Sequence, residues 1–122
     1  MAGSLVLVVE DNATNMKLFR DVLEAKGYLT LEATSGEQAV ELAADHGPDL
    51  VLMDIQLPGI DGVTALRRLR EAGIESPVVA LTAQAMQGDR EGFLAAGFDA
   101  YISKPIDVAE FVREVARWCD AG

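Results

Sequence analysis

Glu10, Asp11, Asp54, Thr82 and Lys104 are the residues whose types and spacing point to chemistry. Each stands at or just past the end of an apolar run. Glu10 and Asp11 follow LVLVV at 5–9, Asp54 follows LVLM at 50–53, Thr82 follows PVVAL at 77–81, and Lys104 follows DAYIS at 99–103. An ionised carboxylate at the end of a buried strand is costly unless a cation or hydrogen-bond donors face it. Asp54 must therefore be exposed, protonated or matched by something positive. An Asp after a strand ordinarily just begins a turn, and Asp54 alone would not outweigh that reading. The set of five does. Carboxylates gathered at one rim repel one another unless a cation bridges them. Magnesium suits such a rim, because it takes oxygen ligands, keeps several waters and favours one or two carboxylates plus a phosphate. With Lys104 as a point charge, Thr82 as a hydroxyl donor and no His or Cys among them, such a pocket is suited to a phosphoryl group. Asp54 is then the nucleophile, and its product an aspartyl-phosphate.

The elements that must carry these residues are legible in the patterning. Residues 5–9 and 50–53 are apolar without alternation, as in strands of a parallel sheet buried on both faces. Asn12 or Thr14 can cap a helix over about 13–26, with Met16, Phe19, Val22 and Leu23 at helical spacing and Gly27 at its end. Residues 28–33 read as a second strand, and Ser35 with Gln38 has capping-box spacing ahead of Ala39, Leu42 and Ala43. His46, Gly47 and Pro48 stop that helix; the lone histidine at its C-terminus is assigned no role. Asp61 can cap a third helix with Val63, Leu66 and Leu69 inward and Arg67, Arg68 and Arg70 outward. A helix over about 84–96 carries Gly88 and Gly92, each costing roughly 1 kcal/mol relative to alanine, and relies on packing of Met86, Phe93 and Leu94. The last helix shows an apolar stripe of Val108, Phe111, Val112, Val115 and Trp118, expected to be core, with Cys119 an inert thiol. Strands alternating with helices in this way make an α/β fold: a flavodoxin-like five-stranded parallel sheet, order 2-1-3-4-5, with five helices on both faces. In that order the switch point lies between the first and third strands, which end in Glu10, Asp11 and Asp54.

Composition bounds the function. The 122 residues suffice for one domain over 1–122. A formal charge of -10 opposes binding to nucleic acid or an anionic membrane. One cysteine cannot form an intramolecular disulfide, and residues 5–9 are too short for a signal core or a membrane span, so a cytoplasmic location is expected.

Glu10, Asp11, Asp54, Thr82 and Lys104 followed by Pro105, in this order and spacing, resemble the receiver domain of bacterial response regulators over about residues 5–118. The segments NMKLF, MDIQLPGIDG, AMQGD and YISKPI are most similar to single-domain cell-division regulators of alphaproteobacteria and to the receivers of hybrid histidine kinases. The resemblance implies a two-component phosphorelay module. Asp54 is then the phosphoacceptor, and Mg2+, with Mn2+ able to replace it, is held by Asp11, Asp54 and the Gln56 backbone carbonyl, with Glu10 acting through water. Many receivers have Asp where this chain has Glu10. Thr82 would bind a phosphoryl oxygen, Lys104 would contact the acylphosphate, Tyr101 would be the switch aromatic and the bond to Pro105 would be cis. The implied donor is a histidine kinase or histidine phosphotransferase, docking on the first helix near Asn15, Met16 and Phe19. Output would be protein binding at the fourth helix, fifth strand and fifth helix, including Gln84, Met86, Tyr101 and Ile106. Such a module is not an enzyme beyond promoting its own phosphorylation and slow dephosphorylation. The alternative is a hybrid-kinase receiver that relays or drains phosphoryl groups.

Rival readings fit less well. A flavin-mononucleotide binder of this fold wants a Ser-, Thr- and Gly-rich first loop, whereas Glu10 and Asp11 repel phosphate. An aspartyl-phosphate phosphatase wants an acid two residues after the nucleophile, where this chain has Gln56. A receiver-like module that works without phosphorylation is disfavoured because every expected site residue is present.

Overall fold

Unbroken apolar runs pair into the centre of the molecule, and the helices cover both of their faces. The computed structural model of the chain describes residues 3–82, 92 and 94–120. The strands are β1 (Leu5–Val9), β2 (Leu29–Ala33), β3 (Leu50–Asp54), β4 (Val78–Thr82) and β5 (Ala100–Ser103), all parallel, in the order β2-β1-β3-β4-β5. Helices α1 (Ala13–Ala25), α2 (Gly36–His46) and α3 (Gly62–Glu71) and a C-terminal helix (Val108–Asp120) are described whole. Of the helix expected over 84–96, Gly92 and residues 94–96 are helical; Gln84, Met86, Gly88 and Phe93 lie outside the described residues.

Strand side chains alternate between two cores. Val6, Val8, Leu50, Leu52, Val79, Leu81 and Ile102 pack under α1 and the C-terminal helix, against Met16, Phe19, Leu23, Phe111 and Val115. Phe19 and Phe111 stack with ring centroids 5.3 Å apart, which joins those two helices. Leu7, Val9, Val51, Met53, Val78 and Ala80 pack on the other face against Ala39 and Ala43 of α2 and Ala65, Leu66 and Leu69 of α3. Of the C-terminal stripe, Phe111 and Val115 are core, while Val108 is 46% exposed. Leu94, expected to pack, is 44% exposed.

Helix starts follow the sequence. Asn12 caps α1 through its side chain, accepting from the Asn15 N–H, and Asp61 caps α3 by accepting from the Thr64 N–H. Ser35 accepts from the Gln38 N–H, while Gln38 reaches back to the Thr34 N–H, one residue before the cap. At the other end of the sheet, an Asp just before a strand secures its neighbour: Asp49 Oδ2 accepts from the Leu5 N–H and Asp99 Oδ2 from the Val78 N–H, each at 2.8 Å. Arg70 reaches the Ile74 and Ser76 carbonyls and lies 3.6 Å from Asp99, so it ties the lower edge rather than facing outward alone. Among the described residues no helix is long and apolar enough to cross a membrane.

Candidate phosphoryl and cation site

Strand register brings the polar strand ends together. Val9 pairs with Met53, so the next residues along, Glu10 and Asp54, arrive side by side; Thr82 pairs with Ser103, which delivers Lys104 to the same rim. Backbone hydrogen bonds carry the sheet past the strand ends: Glu10 N–H donates to Ala33 O, Ile55 N–H to Leu81 O and Lys104 N–H to Thr82 O. Gly62 closes the β3–α3 loop onto β3, its N–H donating to Ile55 O at 3.1 Å.

Glu10 is 1% exposed, Thr82 4% and Asp54 5%, whereas Asp11 is open to solvent. Lys104 Nζ lies 2.9 Å from Asp54 Oδ2 and 3.0 Å and 3.3 Å from the two Glu10 oxygens. The positive partner that Asp54 required is therefore Lys104. Gln56 N–H donates to Asp54 Oδ1 at 2.9 Å, which fixes the carboxylate plane, and the Gln56 side chain is exposed. Burial pushes the Glu10 carboxyl above its ordinary range; the Lys104 hydrogen bond opposes this and the neighbouring Asp54 adds to it. Burial alone would depress the Lys104 ammonium, but hydrogen bonds to Asp54 and Glu10 outweigh it and hold its pKa above the usual lysine value.

Glu10, Asp11 and Asp54 each offer an oxygen, all within 4.8 Å of one another. Among the described residues, three carboxylates against one ammonium leave two negative charges uncompensated when all four are ionised. That donor set is oxygen-only, mixed in burial and open on the Asp11 side, and it fits a hard divalent cation that keeps part of its water.

Tyr101 is half-buried and packs against the α2–α3 side of the core, and Ile106 packs partly against the other core. The Lys104–Pro105 peptide bond is cis. Cys119 is partly buried, and burial, with Asp49 adding, pushes its thiol up to about 11. It stays a protonated thiol at neutral pH.

The docking surface expected on α1 needs correction. Phe19 is buried in the core, and Met16, 5% exposed, shows only an edge in a groove lined also by Glu10, Asp11, Lys17 and Arg20. On the other side of α1, next to Lys104, lies a groove of about 460 Å3 lined by Asn15, Leu18, Lys104, Pro105 and Ile106, with Leu18 39% exposed. Asn15 also does something sequence reasoning missed. Its Nδ2 donates to Glu10 Oε1 at 3.3 Å.

A parallel sheet in this order, with acidic residues at its switch point and a lysine past the last strand, defines a two-component receiver module. The sequence matches the response regulator receiver domain family over residues 6–116, and the chain belongs to that family. Among curated relatives, the polar-differentiation response regulator DivK of Brucella ovis is 50% identical over 112 residues, covering 90% of this chain and 91% of its own. The receiver domain of the sensor histidine kinase PA1611 from Pseudomonas aeruginosa, solved with a magnesium ion coordinated in its active-site cleft, superposes with a TM-score of 0.87 at 42% identity, covering 98% of this chain and 99% of its own. The receiver of Saccharomyces cerevisiae Ssk1, solved in complex with the histidine phosphotransfer protein Ypd1, gives a TM-score of 0.90 at 27% identity, covering 98% of this chain and 90% of its own.

Proposed function

We propose that the chain is a single cytoplasmic receiver domain that accepts a phosphoryl group on Asp54 and, once modified, changes the proteins it binds. The observation that carries this is the Asp54 carboxylate held between the Lys104 ammonium and the Gln56 N–H, beside two further carboxylates at the switch point. Gln56 N–H and Lys104 each hold one Asp54 oxygen in place, and burial strips water from the carboxylate, which raises its reactivity towards phosphorus. The donor is a phosphohistidine of a histidine kinase or histidine phosphotransferase. Its P–N bond breaks as the bond from Asp54 Oδ to phosphorus forms, and the imidazole nitrogen leaves with the bonding pair. Lys104 meets the charge on a transferring oxygen, and Thr82 donates its hydroxyl to another.

Asp11, Asp54 and the Gln56 carbonyl would hold Mg2+, with Glu10 acting through water; Mn2+, another hard ion, is expected to substitute. When bound, the ion withdraws negative charge from the phosphoryl oxygens. The residues alone leave an excess of negative charge that would repel the donor's phosphoryl group, so transfer is expected to require the cation.

Tyr101, next to the Thr82 strand, is proposed to carry the switch outward to the face of the fourth helix, β5 and the C-terminal helix, which includes Ile106. The greater identity to DivK regulators than to the hybrid-kinase receiver supports switching over relay as the module's use. No role in nucleic-acid or membrane binding is proposed for a chain carrying a formal charge of -10.

The donor is proposed to seat on the groove beside Lys104, since Lys104 lines that groove next to the exposed Leu18. Leu18→Glu should lower phosphoryl transfer from a phosphorylated histidine phosphotransferase by at least about tenfold, as expected for losing a central apolar anchor. The readout is the ratio of that rate to the rate with a small acyl phosphate; an unchanged ratio contradicts the docking surface. The function itself is tested by intact mass after incubation with a small acyl phosphate. One phosphoryl adduct is expected with Mg2+, none with chelator, and none on Asp54→Asn; an equal adduct in all three overturns the reading.

A further inference from the structure

Glu10, 1% exposed, is the most buried member of the acidic cluster, so bulk water has little access to its oxygens. Among the described residues its side-chain donors are Lys104, which reaches both oxygens, and Asn15, which reaches Oε1. A lysine ammonium has three protons. Here the Lys104 ammonium faces three carboxylate oxygens, two on Glu10 and one on Asp54. A phosphoryl oxygen arriving at Asp54 can gain Lys104 only if one of those oxygens gives it up. A buried carboxylate that loses a charged donor with nothing in its place is strongly disfavoured.

We propose that Asn15 is a positioning residue for this exchange: its side-chain amide keeps hold of the Glu10 carboxylate while Lys104 turns to the incoming phosphoryl group. The inference rests on Asp54 being the acceptor and Lys104 the phosphoryl contact. Asn15 is suited to the part by its own placement. It sits in the first turn of α1, its backbone N–H is tied to the Asn12 side chain at 2.9 Å, and its side chain is half-buried between Glu10 and the rim groove. Its amide is neutral, so it steadies Glu10 without competing with Lys104 for the phosphoryl charge. Glu10 needs its full length to take part. Aspartate is one methylene shorter, and a contact already at 3.3 Å would not survive that withdrawal.

The test compares adduct formation from a small acyl phosphate with excess Mg2+, a donor that does not depend on the groove Asn15 also lines. Asn15→Leu, which keeps the size and removes the amide, should slow the reaction about five- to tenfold, the scale of one hydrogen bond to a charged group. Asn15→Gln, which keeps an amide donor, should recover most of the rate. In a Glu10→Asp background, Asn15→Leu should change the rate by less than about twofold, because the partner is already gone. Melting temperatures measured in chelator show that each variant is folded. An unchanged rate in Asn15→Leu, no recovery in Asn15→Gln, or the same fractional loss in both backgrounds overturns the proposal while leaving Asp54 as acceptor. No adduct on the parent protein overturns the Asp54 reading and this inference together.

Discussion

Replacing Lys104 with methionine is expected to slow acyl-phosphate labelling by roughly a hundredfold, the scale of removing one preorganised donor to a developing anion. It should also destabilise the fold, because Glu10 and Asp54 then remain buried with no cation between them. The loss has a ceiling. Glu10 can take up a proton, and for a group ordinarily titrating near 4.5 this costs about 3 kcal/mol at pH 7. Acidification should therefore rescue the variant. Glu10 already has a folded-state pKa above its unfolded value, and losing Lys104 raises it further. Between the two values the native chain binds more protons than the unfolded one, so stability falls as pH rises through that window and returns as pH drops. Denaturant melts in chelator should show the gap between variant and parent shrinking to under about 1 kcal/mol near pH 5. A gap that is constant with pH contradicts the pairing.

Gly62→Ala should be the most damaging loss of a glycine next to the site. A Cβ there would stand 2.6 Å from the Asp54 carbonyl oxygen and 2.9 Å from Ile55 Cα. Both are backbone atoms of the strand end that presents the Asp54 side chain, so neither can swing aside. The expected cost is about 2–3 kcal/mol, within the range for overpacking, and the shifted strand end should also depress phosphorylation. Gly92→Ala provides the opposite case. Gly92 is helical, exposed and has nothing within 4 Å of an added Cβ, so alanine should stabilise the protein by about 0.5–1 kcal/mol. Parallel denaturant melts of the two variants check both signs. A Gly62→Ala protein as stable as the parent would mean that the β3–α3 loop does not hold the strand end in place.

Much of this site can be read in the chain because parallel strands covered on both faces are uniformly apolar, so a polar residue at the end of such a run stands out. Asp54 after LVLM and Thr82 after PVVAL are visible for that reason. Strand register is not written in any one run, and the Glu10–Asp54 adjacency depends on β1 pairing with β3. The contact from Asn15 to Glu10 is hidden for the same reason, since it joins the first turn of a helix to a strand end through tertiary geometry. Placing Met16 and Phe19 in a docking surface goes against their own period. Residues 16, 19 and 23 form one helical stripe, and that stripe lies on the sheet, leaving Leu18 outside. Asp49 and Asp99 carry a usable signal, an Asp immediately before an apolar strand, whose hydrogen bond to the neighbouring strand becomes evident only with the topology.

The most direct test asks which carboxylate takes the phosphoryl group. Protein labelled with acyl phosphate and Mg2+ is reduced with borohydride, which converts an aspartyl-phosphate to homoserine, and its peptides are read by mass spectrometry. Homoserine at position 54 and at no other position is the expected result. A reduced side chain at Glu10 or Asp11, or a labelled protein with position 54 intact, would contradict the assignment of Asp54 as the acceptor.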